Sequence, residues 1–144
     1  MTDEERKRKM FYLKKIVNGR SMTGEVVMMP TVAGETYVAG EALKTNAGKV
    51  TKASGDAKVS HVAIANYVAP ASGNEPIPCF VVTSDMVWEV ATSAYSATTQ
   101  VAGARVTIDT TGMKVTATAA ENNGAKVHDV RGASAVGDKI WVTL

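Results

Sequence analysis

The sequence has a single cysteine, four prolines, few aromatic residues and no long apolar run. A lone cysteine cannot form an intrachain disulfide, and Cys79 lies in an apolar run that suits a small buried side chain. No stretch approaches the roughly 20 apolar residues that span a bilayer. No apolar segment follows the basic N-terminus, as one would in a secretory signal. We therefore expect a soluble protein that uses neither a membrane nor disulfides.

The residue patterns of common catalytic and metal sites are also missing. His61 and His128 are 67 positions apart, and neither has neighbours at metal-ligand spacing. The sequence contains no Gly-x-Ser-x-Gly elbow, no His-Glu-x-x-His motif and no glycine-rich phosphate loop. Asp85 and Glu89 could form a glycosidase-like pair, but two neighbouring carboxylates among fourteen acidic residues are expected by chance. We predict a protein that is not an enzyme and needs no metal or cofactor.

Alanine, valine, threonine and glycine are abundant instead, a composition that favours strands joined by tight turns. We predict an all-β fold, mainly antiparallel, in the form of a small barrel or sandwich. The longest strand-like runs lie between Tyr37 and Val90, and they include Phe80 and Trp88, which we expect to be buried. The Ala- and Ser-rich stretch 91–103 is linker-like. We therefore predict one domain over 21–144, with a barrel body at about 31–90 and an added hairpin segment at about 104–144.

Turn signals punctuate these strands. Val32-Ala33-Gly34-Glu35 is echoed by Val38-Ala39-Gly40-Glu41 and, more loosely, by Val136-Gly137-Asp138. In each copy a glycine permits a turn and an acidic residue precedes or starts a strand. Asn46-Ala47-Gly48 predicts a tight reversal, and Asp109-Thr110-Thr111-Gly112 predicts the turn of a hairpin.

The first 20 residues form a basic arm with seven basic and three acidic residues, a net charge of +4. Thr2 and Glu5 match a capping box, and Met10 and Leu13 fall on one helical face. We predict a short helix over about 3–17, within a helical or flexible arm at 1–20. Two alternatives remain open at this point, since the apolar face of such a helix packs on its own domain or docks on a partner.

Trp141 is the second candidate for a partner contact. In the last predicted strand, Ile140, Val142 and Leu144 share one face, and Trp141 shares the other with Lys139 and Thr143. An aromatic ring on a polar face suits a contact with a partner, or else a ring half-covered by its own loops.

From Ala33 to Leu144 the chain resembles bacteriophage capsid decoration (cement) proteins. The resemblance rests on Ala39-Gly40-Glu41-Ala42-Leu43 with Gly48-Lys49-Val50, the run Val62-Ala63-Ile64-Ala65, and two strand-like segments. Those segments are Asp85-Met86-Val87-Trp88-Glu89-Val90 and the ending Val136-Gly137-Asp138-Lys139-Ile140-Trp141-Val142-Thr143-Leu144. The chain is longer than the short members of that group because a hairpin segment follows Gly103.

The resemblance implies a small β-barrel or β-tulip body that binds the outside of an assembled capsid and stabilises the shell. It implies the major capsid protein as partner, a homotrimer, and a place on the virion exterior after synthesis in the host cytoplasm. We also expect no nucleic-acid or membrane partner, since the +4 arm is too weakly charged to indicate nucleic acid and no apolar run is long enough to span a bilayer. The expected capsid-binding residues are those of the arm and Trp141: Arg6, Lys7, Arg8, Lys9, Met10, Phe11, Leu13, Lys14, Lys15, Ile16 and Trp141.

Two alternatives to this function remain. One is a non-enzymatic β-sandwich that binds a glycan or a cell surface, and the other is a minor head or neck component. A glycan-binding module usually presents several exposed aromatic rings, whereas this sequence has few aromatics and we expect Trp88 to be buried. The capsid reading is therefore preferred.

Overall fold

The structure is a computed structural model that describes residues 11–16, 24–72 and 75–144. In these ranges the protein contains thirteen strands and no helix, and each pairing between named strands is antiparallel. The all-β, antiparallel prediction is confirmed. The strands are β1 (Tyr12–Ile16), β2 (Val26–Pro30), β3 (Thr36–Tyr37), β4 (Ala42–Asn46), β5 (Lys49–Lys52), β6 (His61–Ala63), β7 (Tyr67–Val68), β8 (Pro76–Val81), β9 (Met86–Ala91), β10 (Arg105–Ile108), β11 (Val115–Ala119), β12 (Ala125–Asp129) and β13 (Lys139–Thr143).

The strands form two larger sheets and one small one. The six-stranded sheet has the order β1-β9-β13-β12-β10-β11, the five-stranded sheet has the order β2-β8-β6-β4-β5, and β3 pairs with β7. The five-stranded sheet curls, since one parallel bridge between Thr31 and Val50 links the end of β2 to β5. Apart from β1, strand order in sequence separates the two larger sheets: β2 to β8 supply the small and five-stranded sheets, and β9 to β13 the six-stranded one.

The main core lies between the two larger sheets. Trp88 in β9 is fully buried there, and its ring meets Phe80 of β8 edge-on, with centroids 6.0 Å apart. Such edge-to-face pairs add to the free energy gained from burial alone. The predicted burial of Trp88 is confirmed, whereas Phe80 is only half-buried at the margin of this core.

A second, smaller core lies on the other side of the five-stranded sheet. Its largest member is Tyr37, whose hydroxyl donates to the backbone carbonyl of Val50 at 2.5 Å and accepts from the N–H of Val32 at 2.9 Å. Cys79 is fully buried in the same core, and burial raises the pKa of its thiol to about 11. Cys79 is therefore the small apolar core residue that the sequence predicts.

The repeated Val-Ala-Gly-Glu motif forms the same turn twice. The N–H of Glu35 donates to the carbonyl of Val32 at 3.2 Å, and that of Glu41 donates to Val38 at 3.0 Å. The third copy is matched by a bond from Asp138 to Ala135 at 3.1 Å. The central glycines have φ values of 74°, 85° and 90°, which place the third turn residue in the left-handed region where glycine is favoured. The turn prediction is confirmed.

Both predicted hairpins are present. Asn46 to Lys49 joins β4 to β5 by a two-residue turn, in which Ala47 and Gly48 both have positive φ, the geometry that matches strand twist. At the second hairpin, between β10 and β11, the carboxylate of Asp109 accepts a bond from the N–H of Thr111 at 3.2 Å.

The helix prediction is wrong for residues 12–16, which form β1 and pair with β9 from Tyr12 opposite Glu89 to Ile16 opposite Met86. Residues 3–10 and 17 of the predicted helix lie outside the described residues. The physical reason is that a helix of this length is marginal alone, whereas the edge of β9 offers backbone hydrogen bonds and a core for Leu13 and Ile16.

Strand β9 also joins a different sheet from the one that the sequence suggests. Its sequence neighbours place it in the body at 31–90, but β9 pairs with β1 and β13 in the six-stranded sheet.

The linker-like stretch 91–103 is bonded to the rest of the fold. Within it, Gln100 is buried and its amide donates to the carbonyls of Ala94 at 2.8 Å and Thr116 at 3.0 Å, so the stretch is bonded to edge strand β11. The division into a barrel body and an added segment stays a prediction.

Candidate partner-binding face

The outer face of the six-stranded sheet carries a row of aromatic and acidic side chains. Four residues lie opposite one another in the registers of β1, β9, β13 and β12, and we call them the Trp141 row: Tyr12, Glu89, Trp141 and Asp129. Period-two alternation places these residues away from the core, because their strand neighbours Trp88 and Ile140 point into it. The predicted assignment of Trp141 to the polar face is confirmed.

Trp141 is half-buried and is held in place from two sides. Its indole N–H donates to the Oε2 atom of Glu89 at 3.2 Å. The guanidinium of Arg131 lies 4.3 Å from the ring centre, within cation–π distance. Lys14 lies farther away, with its Nζ atom 5.8 Å from the ring centres of both Trp141 and Tyr12. The ring is thus fixed at the surface by charged neighbours.

Two salt bridges extend these contacts, one at Glu89 and one at Asp129. Lys139 Nζ lies 3.6 Å from Glu89 Oε1, and Arg131 Nη1 lies 3.7 Å from Asp129 Oδ2. The second pair is about half-exposed, so water screens it and it adds little stability. Its effect is to orient Arg131, since the Oδ1 atom of Asp129 also accepts the backbone N–H of Arg131 at 2.8 Å.

Arg131 occupies a left-handed backbone conformation, with φ of 53°, and Gly132 follows it with φ of 74°. The turn is closed by the N–H of Ala133, which donates to the carbonyl of Val130 at 2.9 Å. A side chain other than that of glycine costs roughly 1–2 kcal/mol in this conformation. Among the described non-glycine residues, Ala47 is the other with positive φ, and it lies in a hairpin turn.

Two β-bulges flank the Trp141 row. In β1 the register passes from Leu13 opposite Trp88 to Lys15 opposite Val87, which leaves Lys14 as the extra residue. In β12 a second shift leaves His128 unpaired beside Asp129. Bulges commonly redirect side chains at sheet edges and beside functional sites. The bulge in β1 lies where Lys14 approaches Trp141, so the irregularity and the charged contact coincide.

A shallow pocket opens beside the row, between the end of β12 and the start of β13. It has a volume of about 460 Å³ and is lined by Arg131, Gly132, Ala133, Gly137, Asp138 and Lys139. The carboxylate of Asp138 accepts the backbone N–H groups of Ser134 at 2.9 Å and Ala135 at 3.1 Å, which fixes the loop. The pocket is polar and open, and two of its six lining residues are basic.

The structure separates the predicted binding residues. Lys14 and Trp141 lie together on the outer face, whereas Phe11 is buried in the main core and Leu13 and Ile16 are packed against it. Alternation along β1 sends these three apolar side chains inward, where they pack on their own domain, and their predicted contact with a capsid stays a prediction. The backbone of Lys15 lies in β1. Arg6, Lys7, Arg8, Lys9 and Met10 lie outside the described residues, and their role stays a prediction.

Trp141 and Lys14 are the expected binding residues that lie on this face, and Trp141 was predicted through alternation in the last strand. Tyr12, Arg131 and Asp129 also lie beside Trp141, but no sequence pattern predicted them as its neighbours. The dipeptide Arg131-Gly132 could have predicted the turn that positions Arg131, since glycine in a short loop often marks a tight turn. The register that brings Tyr12 beside Glu89 spans 77 positions (89 − 12), and no local pattern encodes it.

One buried carboxyl group, that of Glu41, lies away from this face, near the junction of the two larger sheets. Glu41 is 4% exposed, and burial together with the charge of Glu35 raises the pKa of its carboxyl to about 7, against an opposing effect of Lys52. The Oε1 atom of Glu41 has no hydrogen-bond partner. The carbonyl of the preceding residue, Gly40, accepts the N–H of Phe11 at 3.0 Å, so the backbone beside Glu41 is bonded to the residue before β1.

The described part of the chain contains no group of three or more histidine, cysteine, aspartate or glutamate side chains that could hold a metal. It also contains no helix long and apolar enough to cross a membrane.

The side chains that could serve in catalysis have structural contacts. His61 is partly buried, which lowers the pKa of its imidazole, and its Nδ1 atom lies 2.7 Å from the hydroxyl oxygen of its sequence neighbour Ser60. Asp85 accepts a bond from the Thr83 hydroxyl, and Glu89, the other carboxylate considered in the sequence, is bonded to Trp141.

No protein-family model matches this chain, and no curated protein sequence is significantly similar to it.

Proposed function

We propose that this protein is a non-enzymatic structural protein of a bacteriophage virion, which binds the exterior of the assembled capsid and stabilises the shell. The Trp141 row is the observation that supports a binding role most directly. It combines tryptophan, tyrosine and, through Arg131, arginine, the three residue types that contribute most to the binding energy of protein interfaces. The motifs that resemble capsid decoration proteins direct the proposal to a shell surface.

The five-stranded sheet fits the body of such a protein. We propose that it acts as a small barrel, since the Thr31–Val50 bridge brings its two edge strands together. The six-stranded sheet then presents its outer face to the shell. A partner that binds only the assembled lattice stabilises that lattice by mass action, and a homotrimer would engage several subunits at once.

A glycan-binding role fits the geometry less well. A sugar ring binds by stacking on an open aromatic face, but the Arg131 guanidinium already lies 4.3 Å over the ring of Trp141. A sugar would have to displace this cation and its contacts to Asp129. Protein interfaces, in contrast, commonly use tryptophan and arginine side chains together. These contacts favour a protein partner over a glycan.

Sedimentation with undecorated phage heads tests the proposal. The wild-type protein should co-sediment at a saturating ratio fixed by the lattice. Trp141→Ala should reduce binding at least tenfold, the scale of an interface hot spot. Met28→Ala is the matched control, because Met28 is 57% exposed on the other large sheet and its loss should leave binding unchanged. A wild-type protein that binds no phage shell would overturn the proposal.

The basic arm needs a separate variant. Removal of residues 1–17 would also delete β1, so the shorter deletion of residues 1–10 is the informative one. If the arm bridges shell subunits, this variant should keep the β circular dichroism signal and lose affinity for heads. Affinity equal to that of wild type would place the contact on the outer face alone.

A further inference from the structure

The pocket beside Trp141 brings together two basic side chains whose positions are fixed. Arg131 is held by its left-handed turn, by the ion pair with Asp129 and by the Trp141 ring. Lys139 is held by Glu89, which in turn accepts the indole N–H of Trp141. A connected set of contacts thus runs from Lys139 through Glu89 and the Trp141 ring to Arg131, and Lys139 and Arg131 both line the pocket.

We propose that this pocket binds a carboxylate group presented by a partner protein, with Arg131 as the principal contact and Lys139 as the second. The identity of the partner as a shell protein rests on the proposed function, whereas the ligand chemistry of the pocket rests on the geometry alone. The proposal places acid recognition in the loop between β12 and β13 rather than only in the basic arm.

The guanidinium of Arg131 has the donors that this role needs. A guanidinium carries five N–H groups in a planar fork that matches a carboxylate. The contact with Asp129 involves Nη1 at 3.7 Å, which is longer than a hydrogen bond, and the side chain is 52% exposed. The Oδ1 atom of Asp129 and the Oδ2 atom of Asp138 already accept backbone N–H bonds within the loop, so both carboxylates are held in fixed positions.

The charge balance around the pocket favours one carboxylate over a polyanion. Three basic side chains, Lys14, Arg131 and Lys139, face three acidic ones, Glu89, Asp129 and Asp138. Nucleic acids bind through many simultaneous phosphate contacts with a surplus of positive charge. A single acidic side chain needs only one oriented fork, whereas a chain of phosphates needs a surplus of positive charge that these balanced side chains do not provide.

The backbone of Arg131 supports the same conclusion. Glycine or asparagine fits a left-handed turn position better than arginine does. Strained residues held by their surroundings cluster at binding and catalytic sites. Here the strained residue is the one whose side chain covers Trp141 and lines the pocket. This indicates that binding depends on the position of the guanidinium.

A titration of the full-length, ¹⁵N-labelled protein with N-acetyl-aspartate N-methylamide, which carries one carboxylate, tests the pocket at constant ionic strength. The NMR signals of the Trp141 indole N–H and of the Gly132 and Gly137 amides should shift together and saturate. Arg131→Lys should weaken binding about tenfold, since it keeps the charge and removes the fork. Arg105→Lys is the control, because Arg105 is an exposed arginine on β10 and its replacement should change nothing. Shifts spread over all basic residues, or unchanged in Arg131→Lys, would overturn the proposal.

Head binding separates this inference from the proposed function. If wild-type protein and Arg131→Lys sediment equally with undecorated heads, the pocket does not contact the shell: the inference fails and the proposed function stands. If the wild type binds no shell but the localised titration persists and is lost in Arg131→Lys, the pocket stands and the proposed function fails. Loss of both head binding and titration in Arg131→Lys supports both.

Discussion

The two tryptophans lie on neighbouring strands of one sheet and have opposite environments. Trp88 on β9 is fully buried in the main core, whereas Trp141 on β13 is half-buried on the outer face. The indole N–H of Trp88 has no hydrogen-bond partner, while that of Trp141 donates to Glu89. Tryptophan thus has two roles in this sheet. Trp88 contributes buried apolar area to the core, and Trp141 contributes an aromatic ring that is fixed at the surface.

The largest effect should follow from removal of the inner tryptophan. Trp88→Ala should lower the free energy of unfolding by about 3–5 kcal/mol, because it leaves a large cavity between the sheets. Urea denaturation followed by circular dichroism measures this change. Trp88→Phe should cost less than the alanine variant, since it keeps a ring and removes an unpaired N–H. A cost below about 1 kcal/mol for Trp88→Ala would contradict the assigned face of β9.

Phe11→Ala tests whether the residue before β1 stabilises the main core, as Trp88 does. The ring of Phe11 is 1% exposed, so Phe11→Ala should cost about 3 kcal/mol in the same denaturation experiment. Tyr12→Ala is the neighbouring control on the outer face and should cost clearly less. Equal, small costs at both positions would mean that β1 contributes little to the stability of the free protein.

Glu41 is a buried acidic residue on the inner side of the fold, so its contribution to stability depends on pH. The raised pKa of about 7 means that the folded state binds this proton more tightly than the unfolded state, whose pKa is near 4.5. The contribution is therefore complete below pH 4.5 and is lost as the pH rises through 7. The shift corresponds to about 3 kcal/mol at most.

Denaturation of the wild type and of Glu41→Gln at pH 5 and pH 8 measures this contribution. The wild type should lose more stability between these values than the variant, because glutamine has no proton to release. Glu121→Gln is the control for loss of one exposed acidic group. Equal pH dependence in wild type and Glu41→Gln would show that the carboxyl of Glu41 is hydrated.

The smallest stability effect should follow from loss of the outer tryptophan. Trp141→Ala should lower the unfolding free energy by roughly 1 kcal/mol, since the ring is only half-buried and its charged neighbours are screened. The same variant should have the larger effect on partner binding. A loss as large as that of Trp88→Ala would mean that Trp141 acts as a core residue.

Local patterns were sufficient for much of the fold. Alternation from Lys139 to Leu144 predicted both faces of the last strand, and Asn46-Ala47-Gly48 predicted a two-residue hairpin. These features depend on nearby residues, so composition and period carry the information. The arm shows where this fails: Thr2 and Glu5 favour a helix start, yet residues 12–16 pair with a strand 70 to 77 positions away. A helix of marginal intrinsic stability gives way to tertiary hydrogen bonds and a core.

The sequence by itself determined the strand-rich class, the turns and the two faces of β13. These follow from glycine at positions of positive φ and from the period-two pattern of apolar residues. Only the tertiary structure decided which strands are neighbours, and hence that Tyr12, Glu89, Trp141 and Asp129 form one row. Strand pairing depends on the joint burial of side chains from distant segments, here in the core around Trp88, and no single segment encodes that sum.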